Sequence, residues 1–292
     1  NKFGDLEIHH MLLKDQLDEL GRKRPELLEE AAYVHAYISR LQPNPDVNFD
    51  DVSQRGIYLD RLWNFVSDLA TAFNSLKAHV LYHRLDLDRS RGVLDRKRLV
   101  EYLKLPRQVS YLNSKYKKQA KAQDSLAHLG NDFQTTTLLP TVHNDEQLVR
   151  HFLAQIFVEA DDHDDFKKYL DDTWLKRLFA TTKLLAGVGD MEKWYKLLAD
   201  RTACQTLKER VDIEFLPVNK PYYRAEEPVS LSLAIKNVET LMVKVFEINT
   251  RNYYGDQQRE VDTAIDLDGM VAAEERTFTY DEPPMHRVEH SF

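Results

Sequence analysis

Three oxygen-bearing side chains are spaced like the ligands of a calcium-binding loop: Asp86, Asp88 and Ser90. They occupy the first, third and fifth positions of the stretch DLDRSRGVLDRK, which lies between two helical patterns. Two positions depart from a calcium loop, since an arginine replaces the turn glycine and Lys97 replaces the bidentate acid. The spacing therefore favours a helix–loop–helix corner in which Asp95 caps the second helix, and the three residues remain its metal candidates.

Other metal-ligand residue types occur in three places. His79, His83 and Asp86 fall at four- and three-residue steps, so they share one face of a helix and could hold a metal. A histidine pair on an amphipathic core helix is more often structural, and we adopt that interpretation. The acidic stretch 159–172 also contains lysines and is interpreted as a solvated helix terminus. The adjacent His9-His10 pair is assigned to the surface, because neighbouring helical residues do not share a face.

Nucleophilic and cofactor chemistry has no recognisable motif in this sequence. There is no GxSxG elbow, no HExxH, no phosphate-binding loop and no GxGxxG, and the chain contains nine glycines. Cys204 is the single cysteine, which excludes an intrachain disulfide and a zinc site built from several thiolates. We expect Cys204 to be a buried apolar side chain on a helix. The sequence therefore predicts a protein that is not an enzyme and that needs no cofactor.

The charge pattern restricts the possible partners. The chain has 48 acidic and 40 basic residues, a net charge of -8, and lysines and arginines that are scattered among acids. Nucleic acid is not expected as a partner, because phosphate binding needs a concentrated basic face. No run of 18 apolar residues occurs, so no membrane-spanning segment is predicted.

The residues up to about Arg210 follow a helical period. The clearest apolar stripe recurs at three- and four-residue steps, at Leu59, Leu62, Trp63, Val66, Leu69, Phe73, Leu76 and Val80. Further helices are predicted over 5–20, 25–41, 95–104, 110–129, 145–159, 173–186, 191–199 and 202–209. Residues 1–210 are thus expected to form an all-α domain, as a helical bundle or stacked hairpins.

The period becomes two after Arg210. Strands are predicted at 211–215, 229–235, 240–254 and 261–267, and the final HRVEHSF also alternates. Consecutive strands without intervening helices predict an antiparallel β-sandwich of immunoglobulin-like architecture over 211–292. The chain begins without a methionine and stops in mid-strand, so we expect a fragment of a larger protein with a truncated sandwich.

The stretch NKPYYRAEEPVSLSL resembles the start of the second macroglobulin-type (MG2) domain of the α-2-macroglobulin and complement superfamily. The residues that match its motif are Asn219, Lys220, Pro221, Tyr223, Arg224 and Glu227, and a strand from Val229 follows. The family's Pro-Gly turn is replaced here by Ala225-Glu226. The resemblance covers residues 211–292 and leaves the helical part unexplained.

This resemblance implies a non-catalytic structural and interaction fragment of a large protease-trapping inhibitor. Its partners would be other domains of the same chain and proteases or other proteins, in a secreted or extracytoplasmic setting. Cys204 lacks the sequence context of the family's thioester, which would lie beyond Phe292. Two alternatives stay open: a helical accessory or enzymatic domain with a ligand-binding β-sandwich, and a helical-hairpin adaptor that binds peptides.

Overall fold

The computed structural model describes residues 2–198, 201–220, 222–262 and 264–292, in which a helical region precedes a small antiparallel β region. The helices of the first region are α1 Glu7–Met11, α2 Lys14–Lys23, α3 Ala31–Leu41, α4 Val52–Val66, α5 Asn74–Ser90, α6 Arg96–Leu103, α7 Ser114–Ala122, α8 Gln134–Thr137, α9 Glu146–Glu159, α10 Asp172–Ala186, α11 Met191–Leu198 and α12 Arg201–Glu209. Single 3₁₀ turns occur at Pro25–Glu29, Thr71–Phe73 and Asp164–Phe166. The predicted order of helices followed by strands is confirmed.

The long apolar stripe forms two helices and not one. α4 ends at Val66, the 3₁₀ turn reverses the chain, and α5 begins at Asn74. Six of the eight stripe residues are nevertheless at most 4% exposed: Leu59, Leu62, Val66, Leu69, Leu76 and Val80. Trp63 and Phe73 are partly buried against the same core. The helical period thus identified the buried residues correctly but did not locate the turn between the helices.

Two apolar clusters form the core of the helical region, and α5 contributes to both. One cluster packs α2, α3 and α4 against α5, and the other packs α6, α9 and α10 against it. Full burial of one leucine, isoleucine, valine or phenylalanine side chain stabilises the folded state by about 1.5–3 kcal/mol relative to leaving it exposed. α7, which covers only nine residues of the predicted helix 110–129, lies at the edge of the second cluster through Tyr116 and the buried Ala120.

The β region contains two small antiparallel sheets. β1 Asp212–Phe215, β2 Ser232–Lys236 and β5 Arg287–Ser291 form a sheet in the order β1-β2-β5, and β3 Thr240–Val245 pairs with β4 Glu274–Thr279. Opposite residues in the first sheet include the pairs Ile213–Ile235 and Ile235–Val288. The two sheets meet through aromatic contacts, with ring centroids 4.7 Å apart for Phe278 and Phe292 and 4.5 Å apart for Tyr280 and His290.

Two predictions for the β region were wrong. The segment 240–254 was predicted as one strand, but only its first part is β3, and Asn249 then caps helix α13, Thr250–Gln257. Residue 263 of the predicted strand 261–267 lies outside the described residues, and the described residues around it form no strand. β4 was not predicted, because its sequence EERTFT has no alternating apolar pattern. Phe278 is half-buried in the structure, and the other residues of β4 are exposed.

The helical and β regions join with two residues between α12 and β1. The end of β2 fastens this junction, because the buried ammonium of Lys236 donates to the backbone oxygen of Arg210 and, at 3.2 Å, to that of Pro284. Asn237 donates to the backbone oxygen of Glu209 at 3.1 Å. Side chains at the end of β2 thus bond the carbonyls of Glu209, the last residue of α12, and of Arg210 just after it, which have no partner within the helix.

Candidate functional site

A groove with a volume of about 730 Å³ lies between the helical region and the loop that connects β1 to β2. One wall comes from the loop before α4, the start of α4 and the end of α5, and the other comes from residues 218–220, 222 and 224–227. The lining combines both charges with apolar and aromatic groups: Phe49, Asp50, Asp51, Arg55, Lys220, Tyr222, Arg224 and Glu226. Such a mixed lining suits a peptide segment better than a small hydrophobic ligand.

The loop wall is built by local hydrogen bonds. Asn219 acts as a strand partner for Ser232, since its amide donates to the Ser232 backbone oxygen and its carbonyl accepts from the Ser232 nitrogen, both at 2.7 Å. Glu227 bonds the ammonium of Lys220 and accepts from the Arg224 backbone nitrogen at 3.1 Å. Tyr223 donates to the backbone of Ser230. These bonds fix the loop in front of β2.

One residue of this loop has an unusual backbone conformation. Glu226 has φ of 69°, in the left-handed region that glycine adopts most easily. It occupies the second position of the Ala225-Glu226 pair, where the MG2 pattern has glycine. Pro221, the remaining residue of that pattern, lies outside the described residues.

The metal candidates Asp86, Asp88 and Ser90 lie on α5, which continues as a helix to Ser90. Arg89 donates to Asp86 at 2.7 Å, and Arg55 lies 3.6 Å from the other oxygen of the same carboxylate. Asp88 pairs with Arg98, although burial raises the pKa of this carboxyl above its ordinary value. The Ser90 hydroxyl donates to the backbone of Leu87 at 2.8 Å. The structure therefore does not bring these three residues together as a ligand set.

Asp95 caps α6 as predicted, because its carboxylate accepts from the backbone nitrogen of Arg98 at 2.9 Å. Across the described parts of the chain, no group of three or more histidine, cysteine, aspartate or glutamate side chains is placed to hold a metal ion. The region is thus organised by arginine–carboxylate pairs at a helix–loop–helix corner.

His79 and His83 face the end of α8 and the residues just after it. The Nε2 atom of His79 lies 3.1 Å from the Thr137 hydroxyl, and that of His83 lies 2.9 Å from the Pro140 backbone oxygen. Both rings are at most 3% exposed. Burial lowers the pKa of His79 to about 3 and also lowers that of His83. These neutral rings bond the end of α8 and the residues after it, whereas Asp86 pairs with Arg89 and Arg55 and does not join the two histidines.

The remaining sequence candidates have structural surroundings. His9 stacks on Phe3 with ring centroids 4.7 Å apart, and His10 is exposed. In the acidic stretch, Lys176 holds the pKa of Asp172 at about 2 through a 2.6 Å bond. Cys204 is only half-buried, so the expectation that it is a core side chain was wrong.

A buried ionic network in the helical core was missed by the sequence analysis. The Arg107 Nε atom lies 2.8 Å from Asp145, and both side chains are 0% exposed. The hydroxyls of Tyr102 and Tyr111 donate to the two oxygens of Asp145 at 2.7 and 2.5 Å. Burial raises the pKa of both tyrosines well above the ordinary value, so both remain donors. Tyr102, Arg107 and Tyr111 lie within one ten-residue segment, but Asp145 follows Tyr111 by 34 residues, and no motif links it to them.

A second missed feature is a stretch without acids. Between Glu101 and Asp124 the sequence contains five lysines and Arg107 but no aspartate or glutamate. The statement that basic residues are scattered among acids was therefore wrong for this part of the chain. The four lysines of α7 carry most of this local charge.

Comparison with known proteins decides the family. A family model described as the actin-binding protein F N-terminal domain matches residues 1–211, and one described as the AbpF first immunoglobulin-like domain matches residues 241–292. The chain belongs to the actin-binding protein F N-terminal domain family. "Actin-binding protein F" of Dictyostelium discoideum is 33% identical to it over 295 residues. This alignment covers 99% of the chain and 12% of the relative. No solved structure matches the chain significantly.

The family membership overturns the resemblance to α-2-macroglobulin. The inhibitor function and the protease partners that followed from it were wrong, and the extracytoplasmic setting loses its basis. The physical reason lies in the loop of residues 219–227, whose motif side chains bond locally to each other, to Ser230 and to Ser232. Such a pattern specifies a turn into a strand and not a particular family. Among the described residues, no helix has the length and apolarity needed to cross a membrane.

Proposed function

We propose that this chain is a non-catalytic interaction module that binds actin filaments as part of a longer protein. The observation that carries the proposal is the match of residues 1–211 to the N-terminal domain of actin-binding protein F. The name of the D. discoideum relative describes the whole of that protein, of which the aligned part is 12%. Actin binding by this part is therefore the central point to test.

The polar groups of the helical region support a non-catalytic role. Arg107 and Asp145 are inaccessible to any substrate, and the buried His79 and His83 are bonded to Thr137 of α8 and to the Pro140 backbone. A catalytic acid or base needs access to a reacting group, which these side chains lack. The groups that a partner could reach in this region are exposed side chains and not the buried polar groups, which favours the adaptor alternative over the enzymatic one.

We also propose a division into a helical domain, residues 1–210, and an immunoglobulin-like β-sandwich that begins at residue 211. The end of α12 at Glu209 and the start of β1 at Asp212 support this boundary. The aromatic contacts between the β1-β2-β5 sheet and the β3-β4 pair support the packing of two sheets face to face.

Co-sedimentation with actin filaments tests the actin proposal directly. The protein of residues 1–292 is centrifuged with increasing concentrations of filaments, and the same protein without actin serves as the control. We expect a saturable fraction of the chain in the pellet. If the pelleted fraction with filaments equals the fraction without them at every concentration, this chain does not bind actin filaments.

The groove provides the second candidate function, a peptide-binding site of the adaptor type. Tyr222 in its wall and Tyr254 on α13 are each 54% exposed, so they form a matched pair. If the groove is the contact with the filament, Tyr222→Ala weakens co-sedimentation with actin filaments by about 5- to 30-fold, as truncation of an interface aromatic does. Tyr254→Ala then leaves the affinity unchanged. Equal affinities of both variants and the wild type would exclude the groove as the contact.

A further inference from the structure

Helix α7 presents an unusual surface for a chain with a net charge of -8. Lys115, Lys118 and Lys121 follow each other at three-residue steps, so they are neighbours along one side of the helix, and all three are exposed. Lys104 is also exposed and lies beside α7, since its backbone oxygen accepts a hydrogen bond from Tyr116. We refer to Lys104, Lys115, Lys118 and Lys121 as the lysine face.

The charges of the lysine face are not neutralised within the described parts of the chain. None of its four ammonium groups forms an ion pair there, whereas many lysines elsewhere pair with an acid on the same helix, such as Lys14 with Asp18 at 2.7 Å. An unpaired cluster of like charges destabilises a helix slightly by repulsion. The cluster therefore needs a reason beyond the stability of α7 itself.

α7 is held firmly at both ends. At its start, Asn113 accepts from the backbone nitrogen of Lys115 at 3.0 Å and donates to the backbone of Lys167 at 2.8 Å. After its last turn, Ser125 bonds the backbone of Ala120 at 3.0 Å and accepts from Asn74 of α5 at 2.7 Å. A rigid helix presents its charges in a fixed array, which lowers the entropic cost of binding.

We propose that the lysine face is a docking site for an acidic surface of a protein partner. The inference rests on the proposed function and deepens it, since the acidic surface would belong to the actin filament. The charge of the whole chain strengthens the argument, because a net-negative protein approaches an acidic partner favourably only through its basic side. The lysine face would then fix the orientation of the complex and raise its rate of formation.

The chemistry of α7 disfavours other polyanions. Nucleic acid sites combine basic groups with exposed aromatic or arginine side chains, whereas Tyr116 is half-buried and bonded to Lys104, and Arg107 is fully buried. An interfacial membrane helix needs an apolar side that can enter lipid. The apolar side of α7 is turned toward the core through Tyr116 and Ala120.

Charge reversal tests the proposal. The wild type is compared with Lys118→Glu/Lys121→Glu and with a control, Lys2→Glu/Lys208→Glu, which makes the same charge change at exposed lysines outside the acid-free stretch. Each protein is tested for binding to actin filaments and to poly-L-glutamate at low and raised salt. We expect the α7 variant to bind both about tenfold more weakly and the control to bind as the wild type does. Raising the salt concentration should reduce the difference in affinity between the α7 variant and the wild type.

Two results would overturn the proposal. One is unchanged binding of the α7 variant to filaments, with thermal unfolding showing that all three proteins are folded. The other is wild-type binding to phosphatidylserine vesicles or duplex DNA that is tighter than binding to poly-L-glutamate. If the wild type does not sediment with actin at all, the proposed function fails separately. In that case, binding to poly-L-glutamate tests the docking site. Weaker binding by the α7 variant than by the wild type supports the docking site, and equal binding by the two proteins overturns it.

Discussion

Replacing Asp145 with asparagine should remove a large part of the stability of the helical region. The substitution keeps the shape of the side chain and an oxygen that can accept from the tyrosines, but it leaves the charge of Arg107 without a counter-ion at 0% exposure. Breaking a buried ion pair by removing one partner costs about 3–5 kcal/mol. Domains are stable by about 5–15 kcal/mol in total, so the loss should be visible in any unfolding experiment.

Urea unfolding followed by tryptophan fluorescence suits this measurement. Trp174 stacks on Tyr111 with ring centroids 4.7 Å apart, so it reports on the network directly. Asp51→Asn is a matched control, because Asp51 also accepts backbone bonds, from Ser53 at 2.9 Å and Gln54 at 3.0 Å. Asparagine caps helices about as well as aspartate, so the control should change the free energy of unfolding by less than about 0.5 kcal/mol.

The reasoning would be refuted by a small effect at Asp145. If Asp145→Asn unfolds within about 1 kcal/mol of the wild type and with the same dependence on urea, the charge of Asp145 does not stabilise the core. A normal midpoint with a changed slope would instead indicate an altered unfolded or native state. The circular dichroism spectrum at zero urea then shows whether the helices remain intact.

Two further predictions concern other buried groups. His79 has a pKa of about 3 when folded and about 6.5 when unfolded, so the unfolded state binds more protons and stability falls as the pH drops below 6.5. Between pH 7 and pH 5 this loss should be about 2 kcal/mol, and urea unfolding of His79→Gln should lack it. Lys236→Met leaves two backbone oxygens without their donor and should cost about 1–3 kcal/mol. Limited chymotrypsin digestion should cleave this variant faster than the wild type near Phe215. The control Lys244→Met, at an exposed lysine, should be digested at the wild-type rate. Equal rates for Lys236→Met and the wild type would contradict the role of Lys236.

Local periodicity predicted the parts of the fold that bury one face of an element. The apolar stripe from Leu59 to Val80 shows this, because burial repeats with the helical period even though the chain turns between α4 and α5. The turn escaped prediction since Ser67, Asp68 and Ala70 fit a helix surface as well as a turn. β1, β2 and β5 were predicted near their observed positions because each carries an alternating or continuous apolar run.

Features that depend on distant residues could not be predicted from one sequence. Asp145 and Arg107 come together only when the start of α9 and the loop after α6 meet in the core, and an aspartate before a helix is normally interpreted as a cap. The acid-free stretch around α7, by contrast, was visible in the sequence, and charge counted in windows would have found it. The loop at 219–227 shows the opposite error, in which residues that serve a local turn were taken as the mark of a family.

The connection between α12 and β1 is short, with two residues between the helix and the strand. A flexible linker yields to force gradually, because stretching only reduces its entropy. Here a pull on the chain would first load the bonds from Lys236 and Asn237 to the end of α12. Such a joint would transmit tension as a stiff coupling and would give way in one step when those bonds break.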